Sequence, residues 1–594
     1  MGILHPSYAA VVLLLGALAC ALVVMVISNQ ERLTLSTRRI RTTATKFLVT
    51  QEGYDYNILN PTPVEYVRSA KNGYAMYSVN MWKDPKVLAT MEHDEDVWSI
   101  CAHEDLPNLD VYFKADKKDE GILDQAITIF SLDCRSIDYE SYGVTGFIVA
   151  MDKFGNVVNA LPHGKGAPGG LTLGRSEGIS MYNTTTAILA AVHGGFLWDY
   201  VTGELEALPF VADTHSLVYR WDDNKYYGMY SDAESRKTHS PQGMGAFDGN
   251  TGANKMDDPA YPGWGYLDDS HLNYLTVDGP FAYGSSRGES TLYKIDMRTN
   301  QKVWALGGRD SNFTIYGING QPYDTKLHKY APERYPWNHQ HKFQYLGDGF
   351  FSLFDNNVGT GHDQVEKPWG KSSRLVVLHV NEETMQAREV FSHPTGDSAM
   401  SYGGTDPLPS GNVLATSYVD WVHPADPDHR YHCNVWEVNM ETHEVEWRLG
   451  FRGLNPLEPV NLQSPYPHYF YDPTNPDGHV PTGWNIYTAD RAYPTVFARR
   501  LCLARGGAAL RFSPFNTVRT QSDHPGAAAL FAAGSDSPAA QKAFLYQRGW
   551  LDRPEEIEVP LPLQGGPARL TLNNRWGNAW EEEVDLAALP ACNG

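Results

Sequence analysis

Cysteine and charge are both scarce in this chain. Six cysteines stand among 594 residues, and one of them, Cys20, lies inside an apolar run. The spacing of the other five, Cys101, Cys134, Cys433, Cys502 and Cys592, fits neither a zinc site nor a C-x-x-C redox motif. In an oxidising compartment Cys101 with Cys134, and Cys502 with Cys592, are the expected staples of the flanking regions, which leaves Cys433 as a buried, inert thiol. Only 20% of residues are charged, and together with 53 Gly, 37 Pro and 12% aromatics this excludes an extended coiled coil or a disordered chain. Positive charge is the scarcer sign. Forty-eight Lys and Arg against 70 Asp and Glu give a net charge of −22, and no basic stripe offsets it, so general nucleic-acid binding is excluded. An anionic ligand then needs a local cationic pocket.

Among long hydrophobic runs, Ala9 to Ile27 stands out, 19 residues without a charge. It is long enough to span a bilayer. It exceeds the roughly 7–15 residues of a secretory core, and no Lys or Arg precedes it, so an uncleaved signal anchor is expected, with a cleaved signal peptide as the alternative. Arg32, Arg38, Arg39 and Arg41 follow the run and favour the cytoplasmic side. The sequons Asn183-Thr-Thr and Asn312-Phe-Thr argue the other way. The expectation is a membrane-anchored or secreted protein whose body is lumenal or extracellular.

Beyond the apolar run the chain repeats itself six times. A turn-like segment recurs at Met151-Asp152, Trp198-Asp199, Phe247-Asp248, Ile295-Asp296, Val380-Asn381 and Val438-Asn439, at intervals of 47, 49, 48, 85 and 58 residues between the acidic or Asn markers. Periods of roughly 40–50 residues with strand-like flanks signal a propeller. Residues 292–307, LYKIDMRTNQKVWALG, align without a gap on residues 435–450, VWEVNMETHEVEWRLG, which reads as one hairpin used twice. Within a unit, NYLTVDGPFAYGS breaks two aromatic and β-branched runs at Asp278-Gly279, and four short antiparallel strands per unit follow. The expected fold is all-β: a six-bladed β-propeller over 141–500, preceded by a β-rich region at 30–140 that packs beside it or completes a blade, and followed by a small β-module at 501–594. Residues 1–29 are the anchor or signal segment.

Three units open with histidine at one offset. His271 stands eight residues before Gly279, His341 eight before Gly349, and His215 eight before Asp223. If each unit's first strand lines a central channel, the three imidazoles converge there.

The stretches Asp269-Ser-His271-Leu-Asn273, Ser285-Ser-Arg287, Val303-Trp-Ala-Leu-Gly-Gly308, Gln340-His341-Lys-Phe343 and Leu353-Phe-Asp-Asn356 carry a resemblance. Over roughly 145–450 the chain resembles a eukaryotic-type member of the arylsulfotransferase (arylsulfate sulfotransferase) family. The resemblance implies a six-bladed propeller that moves a sulfuryl group from a phenolic sulfate ester to a phenol through a sulfated histidine, without adenylyl sulfate, cofactor or metal. It implies His341 as nucleophile, with His215, His271 and Arg287 around it, a small-molecule aryl sulfate donor and a phenolic acceptor. The family usually follows Gln-His with Asp or His and then Ala-Arg, whereas Lys342-Phe343 stands here, and the surroundings of His215 match loosely.

The residue types suit that chemistry. A neutral imidazole approaches a sulfate anion without charge repulsion, and Arg287 offers a planar fork to the sulfuryl oxygens. A protonated His271 or His215 can donate to the leaving phenolate and later take the acceptor's proton. Asn273 is expected to orient an imidazole or touch substrate, and Tyr335, Trp337 and Phe343 either line an aromatic mouth for a phenol ring or pack internally. Rival readings accompany these: His339-x-His341 as a metal pair, Asp355 to Gly361 as a cation loop, and Trp304 and Trp447 as inter-blade packing. Two other classes stand as alternatives, a propeller that only binds or adheres and a quinone-cofactor oxidoreductase, because a propeller by itself specifies no chemistry.

Overall fold

The computed structural model describes residues 74–91, 109–114, 121–135, 145–164, 167–230, 243–251, 263–264, 271–323, 334–359, 364–419, 429, 431–452, 483–550, 557–561 and 565–592. The expected anchor at 9–27 and the acidic stretch Glu92 to Asp96 lie outside them. No helix among the described residues is long and apolar enough to cross a membrane.

The chain is nearly all β. Each repeat marker ends the third strand of a four-strand antiparallel unit, and its side-chain oxygen accepts a backbone N–H two or three residues on, at 2.9 Å in all six copies. This is why Asp or Asn recurs: a short acceptor closes the turn in place of a backbone group. The second unit runs Ser176–Met181, Thr186–Ala191, Gly194–Asp199 and Leu205–Ala207. The third runs Leu217–Arg220, Lys225–Tyr230, Gly243–Asp248 and Gly263–Trp264. The fourth runs Leu272–Asp278, Phe281–Ser286, Thr291–Asp296 and Gln301–Gly307. The fifth runs His341–Gly347, Phe350–Asp355, Arg374–Asn381 and Gln386–Pro394, with Thr314–Tyr316 added in parallel. The sixth runs Gly404–Pro407, Asn412–Tyr418, Cys433–Asn439 and Val445–Phe451.

The first unit is assembled from both sides of the chain. Ile127–Arg135 pairs with Thr145–Asp152, which pairs with Val157–Pro162, while Gly483–Asn485 and Ala489–Ala492 supply the innermost strand. Pairing therefore crosses the expected boundary at residue 140. Upstream, Leu109–Lys114 pairs with Val445–Phe451 and Tyr74–Val79 pairs with Leu109–Lys114, covering the edge of the sixth unit.

Successive first strands touch. Ser176–Met181 packs on Leu217–Arg220, that on Leu272–Asp278, that on His341–Gly347 and that on Gly404–Pro407, while Ala489–Ala492 meets both Asn412–Tyr418 and Ser176–Met181. The core lies between neighbouring sheets. Trp304 packs with Phe313 and Phe351 of the next unit, and Trp447 joins a cluster shared by the sixth and first units, its indole N–H donating to the Lys153 carbonyl at 2.8 Å. The aligned hairpins also share a register slip two residues before the marker, at Lys294/Ile295 and Glu437/Val438.

The C-terminal module is two sheets on their own core. Phe497–Ala504, Ala509–Phe515 and Ile557–Pro560 form one, and Pro538–Tyr546, His524–Ala532, Pro567–Asn574 and Ala579–Asp585 the other. The Ala-, Gly- and Ser-rich stretch at 504–540 holds two of these strands, Ala509–Phe515 and His524–Ala532, and in the second Ala528 and Leu530 alternate inward despite poor β-formers around them. Cys502 and Cys592 are disulfide-bonded, as is Cys134, whose expected partner Cys101 lies outside the described residues. Cys433 is free and buried, and burial pushes its thiol well above the usual range.

Candidate functional site

The residues singled out by offset come together where the first strands begin. The His215 and His271 rings lie 5.3 Å apart edge to face. His215 and His341 each stand 5.8 Å from the ring of Tyr487, and Tyr402 packs on both Tyr487 and His341, at 5.0 and 6.1 Å. Four non-glycine residues here are left-handed: His271 at φ 44°, His339 at 53°, Lys342 at 46° and Tyr402 at 65°. Such strain persists where packing over-determines it and clusters at functional sites. The ladders also slip at Ser176/Gly178, Leu272/Tyr274 and His341/Gln344, and bulges of this kind re-aim side chains.

His341 is buried and its protonation pattern is decided by Asn356. Asn356 Nδ2 donates to the carbonyls of Ala399 and Tyr402 at 2.8 and 2.9 Å, which turns its Oδ1 toward His341 Nδ1 at 2.7 Å. An amide oxygen only accepts, so Nδ1 carries the proton and Nε2 keeps its lone pair. Burial, then the Arg287 charge, lowers the His341 pKa well below the ordinary value. His271 is lowered in the same sense by burial, His215 and Arg287. His215 behaves oppositely. Burial works against its cation, but Glu177 and Asp213 outweigh that and raise the pKa, with Nδ1 2.5 Å from Asp213 Oδ1 and Nε2 3.6 Å from Glu177 Oε2. Neighbouring imidazoles are thus pushed in opposite directions, His215 toward its cation and His271 and His341 toward the neutral ring.

Arg287 follows the strand Phe281–Ser286, and its backbone N–H donates to the His271 carbonyl at 3.1 Å. Among the described residues no carboxylate pairs with its guanidinium, and the sheltered Nε has no hydrogen-bond partner. Burial lowers its pKa, but guanidinium stays charged in proteins. A sheltered, unpaired arginine is a standing anion site.

Asn273, Trp337 and Phe343 have other work. Asn273 is buried and donates to the Gln340 carbonyl at 2.8 Å rather than to an imidazole, while Gln340 Nε2 bonds the Ser285 hydroxyl and Ser286 carbonyl at 3.2 and 2.9 Å. That network ties the strand starts at His271 and His341 to the strand end that leads into Arg287. Trp337 and Phe343 are fully buried in one core cluster, 5.2 Å apart, with the indole N–H on the Ser290 carbonyl at 2.9 Å, so they offer no face to a phenol. Gly307 leaves the space on which Trp337 lies, which explains one glycine of the Trp-x-Leu-Gly motif.

The cation-loop reading of Asp355 gives way to an ion pair. Its Oδ2 takes Arg374 Nε at 2.9 Å and its Oδ1 caps the N–H groups of Asn338 and Asn357, both at 2.9 Å. No group of three or more His, Cys, Asp or Glu able to hold a metal occurs among the described residues. Lys342, the departure from the expected motif, is buried with Nζ on Asp406 Oδ2 at 2.7 Å and the Ala489 carbonyl at 2.9 Å, and Arg519 of the C-terminal region meets the other Asp406 oxygen at 2.6 Å. Tyr402, Tyr487 and Glu177 were missed from sequence. None of the three stands in a motif that marked the other site residues.

No curated protein matches the chain. Among solved structures, a Bacteroides caccae protein of unknown function is 11% identical over 54% of this chain and 93% of its own, with a TM-score of 0.32. Hydrazine synthase of Kuenenia stuttgartiensis is 11% identical over 58% of this chain and 78% of its own, with a TM-score of 0.24. Likeness this weak carries no argument. Residues 211–455, which hold His215, His271, Arg287, His341 and Asn356, match the model of the arylsulfotransferase (ASST) family.

Proposed function

We propose that this protein is an aryl-sulfate sulfotransferase that works in two half-reactions through a sulfohistidine at His341, on a six-bladed propeller. The observation that carries the reading is the pairing of a tautomer-locked, neutral His341 with the unpaired Arg287 charge. His341 Nε2 attacks the sulfur, its lone pair forming the N–S bond while the S–O bond to the aryl group breaks. Arg287 takes the sulfuryl oxygens, whose charge grows in the transition state. A neighbouring imidazolium protonates the leaving phenolate, and its neutral form then deprotonates the incoming phenol. Six four-strand units and the succession of touching first strands support the propeller. The Cys502–Cys592 disulfide supports a lumenal or extracellular body.

The test mixes full-length protein with p-nitrophenyl sulfate, with and without phenol, and no adenylyl sulfate. Expected are phenol-dependent release of p-nitrophenol and an acid-labile adduct of about 80 Da on the His341 peptide, the mark of a covalent intermediate. His341→Ala abolishes both, and Arg287→Ala lowers the rate at least about 100-fold, as loss of a preorganised donor does. No turnover across a broad panel of aryl sulfates leaves a propeller that only binds.

A further inference from the structure

Glu177 lies upstream of the matched segment 211–455, yet its carboxylate stands in the site. It is the residue passed over where the ladder slips between Ser176 and Gly178, so the bulge aims it inward, where it is buried. Four groups address it. Arg175 Nη2 and the Tyr402 hydroxyl reach Oε1 at 2.8 and 3.3 Å, while the Thr214 hydroxyl and His215 Nε2 reach Oε2 at 2.7 and 3.6 Å. The Tyr402 and Thr214 contacts are hydrogen bonds, and the Arg175 contact is a close ion pair. The His215 contact is at an ion-pair distance too long for a hydrogen bond, so charge holds the Nε2 proton while leaving it available to a third atom.

We propose that Glu177 is the positioning residue that makes His215, rather than His271, the proton donor to the leaving phenolate. This rests on the sulfuryl-transfer reading. The groups facing His215 are Asp213 on its own loop, Glu177 and Arg175 from the preceding unit, His271 from the following one, and beyond them His341 and the Tyr487 ring. Two carboxylates against one close arginine favour the cation of that imidazole, whereas His271 is pushed toward its neutral form by burial, His215 and Arg287. In the first half-reaction the electron pair of the broken S–O bond stays on the aryl oxygen, which takes the Nε2 proton and leaves His215 neutral. In the second, the acceptor phenol returns a proton to His215 Nε2 as its oxygen bonds sulfur and the N–S pair returns to His341. The cycle closes without net proton change.

The experiment compares wild type, Glu177→Gln and Glu177→Asp, all full length, on aryl sulfates whose leaving phenols range from acidic p-nitrophenol to phenol itself. Glu177→Gln is expected to lose at least about 100-fold on phenyl sulfate, the usual worth of a positioned acid, and under about 10-fold on p-nitrophenyl sulfate, whose leaving group needs little protonation. Its alkaline limb moves to lower pH, because removing a carboxylate lowers the His215 pKa, and Glu177→Asp falls between the two. Equal losses on all donors with an unmoved alkaline limb overturn the proposal and leave sulfuryl transfer standing. A wild type with no turnover overturns the transfer reading itself, and the proposal with it. Should Glu177→Gln not fold, Glu177→Asp decides alone: a steeper dependence on leaving-group acidity supports the assignment, and an unchanged one removes it.

Discussion

The His341 ring has one nitrogen committed to Asn356 and one left over, and that division sets its chemistry. Asn356→Ala removes the acceptor that selects the tautomer, so kcat should fall by at least about 100-fold while the fold persists; wrong-tautomer histidines lose up to about 10,000-fold. Asn356→Asp keeps an acceptor but adds a charge that raises the His341 pKa. Activity needs the neutral ring, so the acid limb should move to higher pH. A pH profile of single-turnover transfer checks both, and an unshifted acid limb in Asn356→Asp would contradict the assignment. His215, His271, His341 and Arg287 were legible in the sequence, since a shared offset and a motif marked them. The roles of Trp337, Phe343 and Asn273 were not. An aromatic or an amide beside a motif reads the same whether it faces a cleft or the next sheet, and here Trp337 lies on Gly307 while Asn273 holds the Gln340 carbonyl.

At the scale of the strand, the bulges do the positioning. The slip at His341/Gln344 and the left-handed Lys342 send consecutive side chains to different tasks, His341 into the site and Lys342 into the buried Asp406. Burial works to raise the Asp406 carboxyl, yet Arg519 and Lys342 together hold it below the usual range. Lys342→Ala strands a buried carboxylate with one partner fewer and should cost about 3–5 kcal/mol. Urea midpoints measure this, and a change under about 1 kcal/mol would show the pair to be dispensable. The repeat was readable because an Asx turn demands Asp or Asn at the end of each third strand. The bulges were not, since slipping one residue out of register costs no particular residue type.

Among the described residues, buried and part-buried histidines set the response to acid. Burial lowers His341 and His271, and takes His393 and His524 to about 4 and about 3. Each is neutral when native but binds a proton near pH 6.5 when unfolded, so each destabilises as pH falls below about 6.5. His215, raised, and Asp152, raised to about 6 by burial, act the other way. His215 contributes stability present below about 6.5 and lost as pH rises through its folded value, and Asp152 gains as pH falls from 6 toward its unfolded value. Among the histidines four are lowered against one raised, and the raised carboxyls of Asp152, Asp84 and Glu582 gain only below their own folded values, so a lower urea midpoint is expected at pH 5 than at pH 7.5, and equal midpoints would contradict this balance.

The local pattern alone determined that the chain is β, that six units share one hairpin plan, and which histidines share a position. Turn chemistry and alternation act within a few residues, so they are written locally. Only tertiary structure decided that Ala489–Ala492 completes a unit begun at residue 127, that Arg519 braces the strand of His341 through Asp406, and that Glu177 and Tyr487 stand among the imidazoles. These pairings join residues from tens to hundreds of positions apart, where burial and charge act through space and leave no spacing to read.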